Sequence, residues 1–81
     1  MRNSYIPDSE LMKFCLWKKR IFRNDSTLCS FRVILKNYFY IRGSQADEII
    51  KRIISLGYAE SQEEEGDAEN DTHETIIKLL V

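Results

Sequence analysis

Only two cysteines, Cys15 and Cys29, and one histidine, His73, occur in the 81 residues. Two thiols are too few for the disulfide framework of small secreted domains, and no Cys or His neighbours them at metal-ligand spacing. The expected location is therefore the cytoplasm, or another reducing compartment. His73 lies between Thr72 and Glu74 in a polar stretch, and no Ser-His-Asp or Cys-His scheme can be assembled around it, so no enzyme is expected. Glycine is scarce as well: Gly43, Gly57 and Gly66 form no phosphate-binding loop. No apolar run approaches the roughly 20 residues that span a bilayer. The opening Met1-Arg2-Asn3-Ser4-Tyr5 reaches Asp8 and Glu10 without the apolar stretch of a signal peptide. No membrane, cofactor or metal is expected, because the acid-rich stretch also lacks EF-hand spacing.

What is present suits a small folded unit. A hydrophobic fraction of 43%, with four Phe, four Tyr and one Trp, suffices for one core, and the length leaves room for one only. The net charge of −1 hides an asymmetry. Residues 1–46 carry nine Lys or Arg against three acids, a net of +6, whereas residues 47–81 carry three against ten, a net of −7. Most of those acids fall in residues 60–71, which hold no large apolar side chain and are expected as a solvated loop at about 60–72. In the basic half, Lys18-Lys19-Arg20-Ile21-Phe22-Arg23 packs four cations into six residues. Such a run either attracts phosphate or forms the wet face of a helix.

Pro7 closes an N-terminal arm, residues 1–8, ahead of a domain at residues 9–81. Asp8 or Ser9 is expected to cap a first helix over about 9–22, with Leu11, Phe14, Trp17 and Ile21 as its apolar stripe. Asn24-Asp25-Ser26-Thr27 reads as a turn and a second cap. Residues 28–42 are ambiguous. Leu28, Phe31, Leu35 and Phe39 form a helical stripe, yet the stretch is rich in β-branched and aromatic residues, and Lys36-Asn37 would also turn a hairpin. A third helix, 44–56, is better marked: Ser44-Gln45-Ala46-Asp47 has capping-box form, Ala46, Ile49, Ile50 and Ile53 line one face, and Leu56-Gly57 supplies a last core residue and a left-handed stop. Tyr58-Ala59 opens a strand, and Thr75-Ile76-Ile77-Lys78-Leu79-Leu80-Val81 returns as its partner.

The fold class expected is mainly α with a small β-hairpin (α+β), three helices followed by a two-stranded wing. That order resembles the winged helix-turn-helix family of DNA-binding domains over about residues 28–81. The likeness is carried by residues 34–58, where Leu35, Phe39, Ile41, Ala46, Ile49, Ile53, Leu56, Gly57 and Tyr58 occupy the family's apolar and turn positions. The resemblance implies a transcriptional regulator that places the helix 44–56 in the major groove of duplex DNA. It would act as a homodimer, since one helix reads too little sequence for selectivity. By the same carry-over Arg42, Ser44, Gln45, Glu48, Lys51 and Arg52 would face the groove or its phosphates. Lys18, Lys19, Arg20, Arg23 and Lys36 would add sequence-independent attraction. Asp47 and Glu48 near the start of that helix, the acidic loop and a pI of 5.8 motivate a second reading. In it the chain is a non-enzymatic module that docks on a partner protein, its acids imitating nucleic-acid charge.

Overall fold

The computed structural model of the chain describes residues 6–23, 25–64 and 74–81. Six elements follow in order: α1 (Asp8–Ile21), β1 (Ser26–Thr27), α2 (Leu28–Phe39), α3 (Gly43–Ser55), β2 (Ala59–Glu64) and β3 (Glu74–Leu79). The three helices pack with one antiparallel sheet of strand order β1-β3-β2, so the fold is mixed α+β. The expectations for the first five residues, and for the acidic stretch from 65 through His73, lie outside the described residues.

Helix α1 is capped by Pro7, whose extended backbone turns its carbonyl toward the N–H groups of Glu10 and Leu11 at 3.0 and 3.2 Å. Pro7 therefore holds the capping position expected of Asp8 or Ser9. Asp8 and Glu10 occupy the first turn and Lys18, Lys19 and Arg20 the last, as the helix dipole favours. The buried face is Leu11, Phe14, Cys15 and Lys18. A stripe ending on Ile21 is thus corrected: Ile21 is 56% exposed. A face of period 3.6 running through 11, 14 and 15 reaches 18, not 21.

Phe14 joins α1 to α2. Its ring meets Phe31 edge-on at 5.7 Å and Tyr38 edge-on at 4.9 Å. Each such pair adds about 0.5–1.5 kcal/mol beyond its area burial. Residues 28–39 are a helix, not a hairpin. Thr27 Oγ1 accepts from the Ser30 N–H at 3.4 Å, and Phe31 and Leu35 are buried at helical spacing. Burial of one face overrides the β propensity of Val33, Ile34 and Tyr38.

The sheet has three strands rather than the two of the expected wing. Ser26 and Thr27, expected as a turn, pair with Ile77 and Ile76. A two-residue strand is too short for alternation to show in a sequence. The central strand β3 is the apolar one and buries Ile77, while β2 buries Ala59. β2 also runs farther than expected, so residues 60–64 are strand rather than loop. Their ladder, from Ala59 opposite Leu79 to Glu64 opposite Glu74, satisfies backbone groups whatever the side chains.

Candidate nucleic-acid interface

Helix α3 is fixed at both ends and along both flanks. Arg42 is its N-cap residue, and the Arg42 N–H donates to Gln45 Oε1 at 3.1 Å, one half of a capping box. The helix therefore begins one residue before Ser44, and Asp47 does not close the predicted Ser-x-x-Asp box. Asp47 instead faces α2: Arg32 Nε lies 2.8 Å from Oδ1, and Arg32 Nη2 donates to Oδ2 at 3.2 Å. Gly43 permits this crossing, since a Cβ there would sit 3.2 Å from Arg32 Nη2.

At the other end Gly57 takes φ 84°. The Gly57 N–H donates to the Ile54 carbonyl at 3.0 Å and the Tyr58 N–H to the Ile53 carbonyl at 3.1 Å, a Schellman turn. Leu56, expected in the core, is exposed; the reversal at Gly57 brings Tyr58 against the core in its place.

Ala46, Ile49, Ile50 and Ile53 bury the inner face of α3. Ser44, Glu48, Lys51 and Ser55 form the opposite line and are all exposed. On one flank, Arg52 Nη1 donates to the Ile6 carbonyl at 2.6 Å and Nη2 pairs with the Asp8 carboxylate. Arg52 is thereby turned toward the start of α1. Gln45, engaged with Arg42, is half-buried. Of the six residues assigned to the groove, Arg42, Ser44, Glu48 and Lys51 stand together on the exposed side. Glu48 and Lys51 cancel, so the outward line itself is neutral and Arg42 adds one positive charge at its start.

The basic run of α1 divides. Lys19, Arg20 and Arg23 are exposed, as is Lys36 on α2, and Lys19 Nζ donates to the Val81 carbonyl. Lys18 leaves this exposed set: it is 1% exposed, with Nζ 5.4 Å from the Phe31 ring centre and 5.8 Å from that of Phe22. Burial drives its pKa below the ordinary 10.5, against the opposing pull of Asp25 and then Cys15. Burial likewise pushes the Cys15 thiol from 9.0 up to about 11, although the Lys18 charge lowers it.

Two contributors carried no sequence signal. Tyr40, between α2 and α3, has φ 56° and is 92% exposed. Its N–H and that of Ile41 both donate to the Lys36 carbonyl. A left-handed conformation costs an L-residue roughly 1–2 kcal/mol, and Gly or Asn would ordinarily mark it. Arg32 was missed because its role depends on where α2 crosses α3. With Asp47, Lys51, Leu28 and Ile50 it lines a recess of ≈ 440 Å³ beside the exposed line.

Among the described residues no three His, Cys, Asp or Glu side chains are grouped to hold a metal, and no helix is long and apolar enough to cross a membrane. Comparison of the chain with protein-family models, curated proteins and solved structures finds no match.

Proposed function

We propose that the chain is a winged helix-turn-helix domain that docks α3 in the major groove of duplex DNA, as the binding element of a dimeric transcriptional regulator. One observation carries this reading: the outward line Ser44, Glu48, Lys51 and Ser55, with Arg42 at its head, is polar and uncovered on a helix whose ends and flanks are all secured. A 13-residue helix spans about 20 Å and fits the groove. Three helices followed by the paired strands β2 and β3 support the same reading. Lys36, Arg20 and Arg23 then supply phosphate attraction, while Lys18 is buried and Arg52 is turned toward the start of α1.

The test is a fluorescence anisotropy titration of a random duplex at low and moderate salt. Binding should weaken with salt, and Lys51→Ala or Arg42→Ala should each reduce the log–log slope by about 1 if that cation neutralises one phosphate. Absence of binding at low ionic strength would remove the proposal.

The second reading, a protein-docking module, draws on a separate observation. The outward line of α3 is electrically neutral, while Leu16, Ile21 and Val33 are about half exposed elsewhere on the helices. It predicts no duplex binding at any salt concentration.

A further inference from the structure

Away from α3, a cavity of ≈ 370 Å³ opens between the end of α1 and the start of α2. Lys18 and Ser26 line it, the first bringing a charge and the second an unanswered polar group. Lys18 is 1% exposed, and among the described residues its ammonium has aromatic faces and no hydrogen-bond acceptor. Ser26 Oγ is buried and, among the described residues, has no hydrogen-bond partner. Buried polar groups are nearly always paired, because leaving one unpaired forfeits its hydration with no return. A buried hydroxyl without a partner and a lysine 1% exposed, facing one cavity, together point to something that enters it.

The remaining walls define that ligand. Arg23 adds a second cation, which selects an anion. Asp25 on the same wall, which also favours the Lys18 charge, leaves the lining one net positive charge and so suits a ligand with one anionic head. Phe22 and Ile34 offer apolar surface for a body behind the head. The volume lies at the small end of the range for organic ligands, about 300–1,000 Å³, and exceeds what an inorganic ion fills.

We propose that this cavity binds a small organic oxyanion, a carboxylate or phosphate monoester with an apolar body, whose oxygens accept from Lys18 Nζ and Ser26 Oγ. The lowered Lys18 pKa agrees with a site that holds positive charge at a cost until an anion arrives. The site is independent of the α3 reading and stands or falls without it.

The intact chain is titrated with benzoate, phenyl phosphate, inorganic phosphate and neutral benzyl alcohol. Binding is followed by Trp17 fluorescence, since that ring lies 5.7 Å from the Phe22 ring on the cavity wall, and by the thermal midpoint. Benzoate or phenyl phosphate should bind saturably and roughly tenfold or more tighter than inorganic phosphate and benzyl alcohol; the tighter of the first two identifies the head group. Lys18→Met should remove that binding, and Ser26→Ala should weaken it severalfold, with cooperative unfolding retained in both. The proposal is overturned if neither organic anion binds below about 10 mM, if benzyl alcohol or inorganic phosphate binds as tightly, or if Lys18→Met, still folded, binds as the parent does.

Discussion

Replacing Lys18 by methionine should make the protein more stable. The side chain is 1% exposed, and its ammonium faces two aromatic rings at 5.4 and 5.8 Å, with no described carboxylate within ion-pair distance. Removing an ammonium from water costs several kcal/mol even after relaxation. The two rings return little, because both centres lie near the ~6 Å limit of cation–π attraction, at about 0.5 kcal/mol each, and Asp25, beyond ion-pair distance, returns only part of the rest. Methionine keeps most of the volume and places a polarisable sulfur against the same rings. A net gain of about 1–2 kcal/mol follows, and each 1 kcal/mol raises Tm by about 4–8 °C in a domain this small.

The pH dependence sharpens the test. The folded pKa of Lys18 lies below its ordinary 10.5, so between the two values the unfolded chain holds more protons and parent stability rises with pH. The advantage of Lys18→Met should therefore be complete below the folded pKa and shrink as pH approaches 10.5. Cys15, raised to about 11, acts in the opposite sense from pH 9.0 upward, but it is present in both proteins and largely cancels in the difference. Urea denaturation of the pair at several pH values measures this. A variant less stable than the parent at neutral pH, or an advantage that does not change with pH, would refute the reasoning.

Other outcomes follow from the same geometry. Gly57→Ala should destabilise by about 1–2 kcal/mol in urea denaturation, because φ 84° strains any Cβ although none of its surroundings would clash. Thiol labelling at pH 8 should modify Cys29, which is exposed, far faster than Cys15, which is buried and remains a thiol to about pH 11; equal rates would place Cys15 at the surface. A double-mutant cycle on Arg32→Ala and Asp47→Ala should give a coupling of only about 0.5–1 kcal/mol, weakening with salt, since the side chains are 42% and 47% exposed.

The sequence was most legible where several local signals coincided. The buried stripe of α3 and its glycine stop could both be read, because Ala46, Ile49, Ile50 and Ile53 repeat at helical spacing before Gly57. Its start was displaced because a Ser-x-x-Asp pattern competes with an Arg-x-x-Gln one, and only the position of Arg32 decides where Asp47 turns. Lys18 was read as surface because a lysine's charge outweighs its four-carbon stem in any sequence pattern. The groove-facing set lost Arg52 for a similar reason: its partners, Ile6 and Asp8, are more than forty positions away. Ser26-Thr27 became a strand only because Ile76 and Ile77 were there to pair with it.

The strand order β1-β3-β2 has a consequence for synthesis on the ribosome. The strand that both others require is the last of the three to emerge. Until it does, β1 and β2 have no partner, and the ladder cannot form however long the nascent chain waits. Unpaired strands normally invite association between neighbouring chains. Here β2 reads Ala59-Glu60-Ser61-Gln62-Glu63-Glu64, and Glu65, Asp67, Glu69 and Asp71 continue the acidic run after it. Charge repulsion between nascent chains should therefore protect the exposed edge during that interval. The acids that argue against a phosphate partner for the finished protein thus have a use before it is finished.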